Sequence, residues 1–112
     1  CGAGLNYLSV AYDGSYYLCH RFTESADEKI GSLKEGLDLK RIQSYKDYRR
    51  DLKSPCKSCW MRSLCSGGCF HENKLARGST FQVDPSFCAL QEIEIRQAMR
   101  VYLVMRSKSK KI

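Results

Sequence analysis

The sequence lacks the patterns on which several classes of protein depend. No apolar run approaches the roughly 18 residues that a membrane span requires, so we expect no membrane partner. No nucleophile–base pair, phosphate-binding loop or pair of catalytic carboxylates is recognisable, so we expect no catalytic residues in this chain. Neither a signal peptide nor a start methionine opens it, so we expect a piece of a longer protein. We also expect a cytoplasmic location.

The basic charge is not arranged as it is in nucleic-acid-binding proteins. The 112 residues carry a formal net charge of +7, from 19 Lys and Arg against 12 Asp and Glu. Much of the excess lies near the end, at Arg106, Lys108, Lys110 and Lys111. Elsewhere the basic residues are scattered, and no run of them alternates with stacking aromatics. We therefore expect a solvated surface with a basic tail over 107–112 and no nucleic-acid partner.

Cysteine, by contrast, is abundant, with seven cysteines against two histidines. Disulfide scaffolds, zinc modules and iron–sulfur proteins use cysteine this heavily. Disulfides pair, so seven cysteines leave one thiol over. Disulfide scaffolds also suit small secreted domains without a core, whereas this chain has enough apolar sequence to build one. Sites with four thiolates each use four or eight cysteines, so seven is one short of two complete sites.

The beginning of the chain has the pattern of a β-hairpin over about residues 5–22. Two arms rich in β-forming residues flank Asp13-Gly14, which favours a type I′ turn with positive φ at both central residues. A two-residue turn there predicts that Val10 faces Tyr17 and that Leu8 faces Cys19. Cys19 would then share an apolar face of the hairpin.

Helix signals follow the hairpin. Ser32 and Glu35 have the spacing of a capping box, which predicts a short helical turn. Asp38 precedes apolar residues at helical spacing, which predicts a helix over about 39–53.

The second half of the chain has a loop and then a long helix. A cysteine-rich loop covers 55–69. Asp84 can cap a helix, and Pro85 suits its first position, so we expect a helix over about 85–106. The order of elements predicts a small α+β domain over 1–106, with an N-terminal hairpin, metal-binding loops and a long C-terminal helix.

The cysteines of the loop are spaced as metal ligands. Cys56 and Cys59 form a C-x2-C pair, whose two intervening residues let both sulfurs turn to one side, and Cys65 is close enough to close a site. Cys69 follows across two glycines, which permit tight or left-handed turns and can aim its thiolate elsewhere. The other three are Cys1, Cys19 and Cys88. Thiols so scattered come together only if the fold wraps its ends around metal.

Written as a pattern, the cysteines read C-x12-G-x4-C, a gap, C-x2-C-x5-C-x3-C, another gap and a final C. This pattern resembles the SPASM domain, the carboxy-terminal extension of radical S-adenosylmethionine enzymes that modify peptides and proteins. The resemblance runs from Cys1 to about Arg106. Residues 1–4 and 17–22 are most similar to the enzymes that install thioether or related crosslinks in peptides.

The resemblance implies two auxiliary 4Fe–4S clusters with separate ligands. The positions that match the first cluster are Cys1, Cys19 and Cys69. The positions that match the second are Cys56, Cys59, Cys65 and Cys88. Cys88 would lie in the first turn of the last helix, where free N–H groups and the positive end of the helix dipole favour a thiolate.

The first cluster is left one cysteine short. Some members of the family carry an additional cysteine between the positions of Cys1 and Cys19, and this chain has none. We therefore expect one iron without a cysteine ligand from this chain. Solvent, a small thiol, a group from another domain or a side chain such as His20, Asp13 or Tyr7 could occupy it.

The resemblance also implies a function and partners. A radical core domain outside this sequence would bind S-adenosylmethionine on a third cluster, while this domain transfers electrons and engages a peptide substrate, which can contain cysteine. Cys65 and Cys69 begin the C-x3-C-x2-C motif of that core, but Glu72 stands where its third cysteine belongs. We expect no activity from this chain alone.

The alternative function is a non-catalytic zinc-binding interaction module. Its closed tetrahedral site would use Cys56, Cys59, Cys65 and either Cys69 or Cys88. This alternative leaves Cys1 and Cys19 without a role.

Overall fold

The computed structural model describes residues 1–23, 25–50, 55–65 and 67–109. Contacts group the chain into two units, Cys1–Lys53 and Ser54–Ile112. The first unit contains an antiparallel sheet and a helix, and the second contains helices that end in a long one. These elements confirm the predicted α+β class. None of the helices in the described ranges is long and apolar enough to cross a membrane.

Four short strands form the sheet of the first unit. They are β1 (Ser9–Val10), β2 (Ser15–Tyr17), β3 (Lys29–Ser32) and β4 (Gly36–Leu37). The strands lie in the order β1-β2-β3-β4, and all pairs are antiparallel. Helix α1 (Leu39–Arg50) packs on β3. The core of this unit includes the buried side chains of Leu18, Phe22, Ile30 and Tyr45.

The hairpin forms, but the predicted register is wrong. Val10 pairs with Tyr16, and Ser9 pairs with Tyr17. The Ala11 amide donates to the Ser15 carbonyl at 2.8 Å, so the loop has three residues instead of two. Gly14 ends it at a φ of 81°, as in a type I turn followed by a left-handed residue. A one-residue slip reverses the faces of a strand, so the expected pairs Val10–Tyr17 and Leu8–Cys19 do not form.

The hairpin is also shorter than the expected span of 5–22. After Tyr17 the chain leaves the sheet, and His20–Phe22 form a 3-10 turn. The Phe22 amide donates to the Cys19 carbonyl at 3.0 Å, and the Phe22 ring is buried. Burial of this ring in the core favours a turn over a continued strand at this point.

The capping-box residues form their contacts in a different element. The Ser32 hydroxyl donates to the Glu35 carboxylate at 2.9 Å and accepts from the Glu35 amide at 3.2 Å. These bonds close the turn between β3 and β4, and the predicted helical turn is absent from these described residues. Gly36 has a φ of 77°, a left-handed conformation that lets the chain reverse into β4.

Helix α1 begins as predicted. The Asp38 carboxylate accepts from the Arg41 amide at 2.9 Å, which satisfies a free N–H of the first turn. The helix runs through Arg50 in the described residues. Its expected end at residue 53 lies outside them.

The second unit is helical. Its elements are a 3-10 turn (Cys56–Ser58), α2 (Arg62–Cys65), α3 (Phe70–Arg77) and α4 (Pro85–Ser109). The loop expected over 55–69 therefore contains two short helical pieces. No pattern in the sequence predicts α3, which ends at Gly78 with a φ of 71°.

Helix α4 begins at the predicted residue and extends beyond the predicted end. The Asp84 carboxylate accepts from the amides of Ser86 at 3.0 Å and Phe87 at 3.2 Å. The cap therefore forms as the sequence predicts. The helix continues past Arg106 to Ser109, so the first residues of the basic tail are helical.

Candidate metal centre

Local hydrogen bonds fix the backbone around the first three thiols of the second unit. The Cys59 amide donates to the Cys56 carbonyl at 3.2 Å, which closes the 3-10 turn of the C-x2-C pair. The Arg62 amide then donates to the Cys59 carbonyl at 3.2 Å, and the Cys65 amide donates to the Met61 carbonyl at 2.9 Å. Met61 is buried, so its packing anchors the turn that carries Cys65.

The remaining two thiols of this unit lie at the beginnings of helices. Cys69 precedes α3, and its carbonyl accepts from the Asn73 amide at 3.0 Å. Cys88 lies in the first turn of α4, and its amide donates to the Asp84 carbonyl at 3.0 Å. Gly67 and Gly68 have φ values of 86° and 82°. This is the left-handed geometry expected between Cys65 and Cys69.

Cys56 and Cys88 have thiols whose pKa is raised, and neighbouring cysteines contribute to both shifts. Partial burial raises the pKa of the Cys88 thiol, and the nearby thiols of Cys56, Cys65 and Cys59 raise it further, as does the Asp84 carboxylate. Burial also raises the pKa of the Cys56 thiol, with contributions from Cys65 and Cys59. Ionising the thiol of Cys56 or Cys88 is therefore harder because other thiols are near.

The expectation that the helix terminus favours a thiolate at Cys88 is not met. The pKa of Cys88 is raised rather than lowered. Burial, adjacent sulfurs and the capping carboxylate of Asp84 all disfavour negative charge at this position. The N–H groups of the first turn, those of Ser86 and Phe87, moreover already donate to the Asp84 carboxylate. A bound cation would reverse this balance, since metal ions deprotonate the thiols that they bind.

All seven cysteines are free thiols. Within the described residues, no group of three or more His, Cys, Asp and Glu side chains is close enough to hold a single metal ion. The thiols of Cys56 and Cys88 are near enough to those of Cys59 and Cys65 for their own pKa values to rise. In the described residues these four thiols nevertheless do not form a site for a single metal ion.

A cation–π contact joins α4 to the C-x2-C turn. The Arg96 guanidinium lies 4.7 Å from the centre of the Trp60 ring, and Trp60 directly follows Cys59. Arg96 also forms an ion pair with Glu92 at 2.7 Å. Trp60 is 48% exposed, so it lies under Arg96 and does not pack in the core.

The first unit contains the other two cysteines. Cys1 is exposed and Cys19 is half-buried. The Gly2 carbonyl accepts from the amides of Leu5, Asn6 and Tyr7 at 2.9 to 3.1 Å, which turns the chain back on itself.

A second contact links this turn to the residue that follows Cys19. The Tyr7 hydroxyl is hydrogen-bonded to Nδ1 of His20 at 3.0 Å, and the two rings meet edge to face. Through Tyr7 and His20, the segment that begins with Cys1 meets the segment that contains Cys19. Cys69, the third residue expected for this set, belongs to the second unit.

The sequence does not indicate the roles of two residues of the second unit, Arg96 and Asn73. Arg96 looks like one more surface arginine of a long helix, and Asn73 looks like an ordinary polar residue of a short one. In the structure Arg96 covers the Trp60 ring, and Asn73 is completely buried. Both positions depend on tertiary packing, which no local pattern in the sequence reveals.

The thiol-rich second unit and the two cysteines of the first have the donor chemistry of an iron–sulfur protein. Comparison with known families agrees with that class. Residues 1–60 match the SPASM family, described as an iron-sulfur cluster-binding domain. The match covers more than half of the 112 residues, and the chain belongs to the SPASM family. No curated protein sequence matches the chain significantly.

The matched region contains four of the seven cysteines: Cys1, Cys19, Cys56 and Cys59. It ends before Cys65, Cys69 and Cys88. The match therefore supports cluster binding by the chain, and the division of the seven thiols between clusters remains a proposal.

Proposed function

We propose that this chain is the auxiliary-cluster domain of a radical S-adenosylmethionine enzyme that modifies a peptide or protein. It binds two 4Fe–4S clusters, the first through Cys1, Cys19 and Cys69. The second is bound through Cys56, Cys59, Cys65 and Cys88. The radical core domain and S-adenosylmethionine belong to another part of the enzyme, and a thioether or related crosslink is the modification that the resemblance favours.

The observation that carries the proposal is the grouping of the four second-set thiols in one unit. Cys88 comes from the beginning of α4, 23 residues after Cys65 in sequence, yet the thiols of Cys56, Cys59 and Cys65 raise its pKa. The chain belongs to an iron–sulfur cluster-binding family, which supports the interpretation of these grouped thiols as cluster ligands.

The donor set fits a four-iron cluster. Such a cluster takes one thiolate at each of four irons, so its cysteine sulfurs lie farther apart than the donors around one ion. When bound, it would accept or donate single electrons. The chain's own contribution is to hold four thiols in partly buried positions, which limits solvent access and tunes the potential of a cluster.

Anaerobic reconstitution with iron and sulfide tests the proposal. Two clusters correspond to roughly eight iron and eight sulfide per chain, with the brown colour of iron–sulfur proteins. About four of each would contradict two clusters. A colourless chain that binds zinc and no sulfide would support the zinc-module alternative instead.

A further inference from the structure

Asn73 is a buried polar side chain in the second unit. It lies in the middle of α3, four residues after Cys69, and its exposure is 0%. An amide carries two N–H donors and one carbonyl acceptor, and each costs free energy when it is buried without a partner. The partners of Asn73 therefore indicate why an amide occupies this position.

The Asn73 amide bonds to three separate segments of backbone. Its Nδ2 group donates to the carbonyl of Gly67 at 3.4 Å and to the carbonyl of Thr80 at 3.3 Å. Its Oδ1 accepts from the amide of Asp84 at 3.1 Å. Both donors and the acceptor are satisfied, so one side chain joins the turn before α3 to two positions in the connection between α3 and α4.

Two of these segments carry thiols. Gly67 lies in the left-handed turn between Cys65 and Cys69. Asp84 caps α4, and its carbonyl accepts from the Cys88 amide at 3.0 Å. Asn73 therefore ties the backbone beside Cys65 to the backbone that positions Cys88.

We infer that Asn73 is a positioning residue for the second cluster, which fixes the turn after Cys65 relative to the beginning of α4 before metal binds. This inference rests on the proposed function. Preorganised ligands need less ordering when metal binds. Leucine has the same branched arrangement of heavy atoms but no hydrogen-bonding group, so Asn73→Leu leaves two buried carbonyls and one part-buried N–H without their partner.

The full protein, anaerobically reconstituted, provides the test. We expect the wild type to bind about eight iron and Asn73→Leu about four. Cys69, the first-set thiol beside this turn, keeps the bond from the residue-73 amide to its carbonyl, which is a backbone bond that the substitution leaves in place. In the metal-free protein, hydrogen exchange of the Asp84 amide should be about tenfold faster in Asn73→Leu.

Phe81→Ala is the matched control. It removes an edge-to-face contact with Phe70 of α3, whose ring centre lies 6.1 Å away, and it leaves the three bonds of Asn73 intact. We expect this variant to bind both clusters with unchanged electron paramagnetic resonance spectra and midpoint potentials. If it loses the same iron as Asn73→Leu, general destabilisation explains both variants and the positioning role is wrong.

Two results separate this inference from the proposed function. Uptake of about eight iron by both wild type and Asn73→Leu, with identical spectra and potentials, overturns the positioning role alone. A wild-type protein that binds no iron–sulfur cluster overturns the proposed function and the positioning role together.

Discussion

At the scale of single residues, a buried carboxylate organises the first unit. Glu28 is only 4% exposed. Its carboxylate accepts from the Tyr45 hydroxyl at 2.6 Å and forms an ion pair with Arg41 at 3.0 Å. Arg41 also donates to the carbonyl of Asp27. A buried charge is tolerated when it is paired and hydrogen-bonded in this way, and the network joins α1 to the turn before β3.

Ionisation of Tyr45 should lower the stability of this unit as the pH rises in the alkaline range. Burial raises the pKa of Tyr45 to about 12, and its bond to the Glu28 carboxylate contributes. Because the folded-state pKa exceeds the ordinary value of about 10, the contribution is fully present below about pH 10 and is lost as the pH rises to about 12. We expect Tyr45 to account for a loss of about 2–3 kcal/mol in the free energy of unfolding.

Denaturant titrations between about pH 9 and pH 12 would measure this loss. Tyr45→Phe keeps the ring and removes the titrating hydroxyl, so the difference between the two proteins isolates Tyr45 from the lysines and thiols. Parallel pH profiles for the wild type and the Tyr45→Phe variant would contradict the prediction.

Gly31 should tolerate no side chain. It has a φ of 141°, and a Cβ there would overlap the carbonyl oxygen of Gly36 on the neighbouring strand. Gly36 also has positive φ, but a Cβ there would meet open space. We expect Gly31→Ala to lower the free energy of unfolding by about 2 kcal/mol or more and Gly36→Ala by about 1 kcal/mol. Equal losses in denaturant titrations would show that the strand contact does not matter.

At the scale of elements, sequence predicts those whose signals are local. The beginnings of α1 and α4 follow from Asp38 and Asp84, because a capping side chain bonds to amides only two or three residues away. The turn at Asp13-Gly14 is also predictable, but its register is not. The Asp13 carboxylate accepts from both the amide and the hydroxyl of Ser15 at 2.9 Å, which favours the three-residue loop.

Other elements depend on their partners. Ser32 and Glu35 do bond to each other, but pairing of β3 with β2 and β4 places these bonds in a hairpin instead of a helical turn. The same limit applies to the site. Spacing indicates that Cys56, Cys59 and Cys65 can act together, whereas the roles of Asn73 and Arg96 depend on segments brought together by folding.

The contact between α4 and the C-x2-C turn should be visible in tryptophan fluorescence. Trp60 is the only tryptophan of the chain, and Arg96 covers its ring. We expect Arg96→Met to move its emission maximum because the cation leaves the ring, with a cost of about 0.5–1 kcal/mol typical of exposed cation–π pairs. Arg100→Met, one turn further along α4, is the control and should leave the emission unchanged. Equal shifts in both variants would contradict the contact.

At the scale of the whole molecule, the ligands of the two proposed clusters are divided unequally between the units. The second set lies entirely within the second unit, and the first set draws Cys1 and Cys19 from the first unit. We expect Cys59→Ala to abolish the second cluster and loosen α2 and α4, because ligation replaces packing in this loop. Cys1→Ala should spare the second cluster. Iron analysis and hydrogen exchange measure both effects, and equal loss of both clusters in each variant would contradict separate ligand sets.

The odd number of thiols leads to the last prediction. Two four-iron clusters have eight iron atoms that each take one ligand from outside the cluster, and the chain has seven cysteines. The proposed second set has four thiols, so in the proposed division the shortfall falls on the first cluster. Among the candidate side chains, Asp13 already accepts two bonds from Ser15, and Tyr7 is bonded to His20.

An iron without a cysteine from this chain could bind the cysteine thiolate of a substrate peptide. Metal ions lower the pKa of thiols that they coordinate, so binding would both position the sulfur and activate it for thioether formation. We expect a cysteine-containing substrate peptide to change the electron paramagnetic resonance spectrum of the first cluster in the reconstituted enzyme. The same peptide with Cys→Ser, which has a harder and less acidic donor, should leave that spectrum as it is in the free enzyme.

His20→Ala tests the competing case, in which His20 is the ligand of this iron and its loss changes the spectrum before any peptide is added. If both peptides perturb the first cluster identically, sulfur does not bind iron, and this cluster serves electron transfer alone.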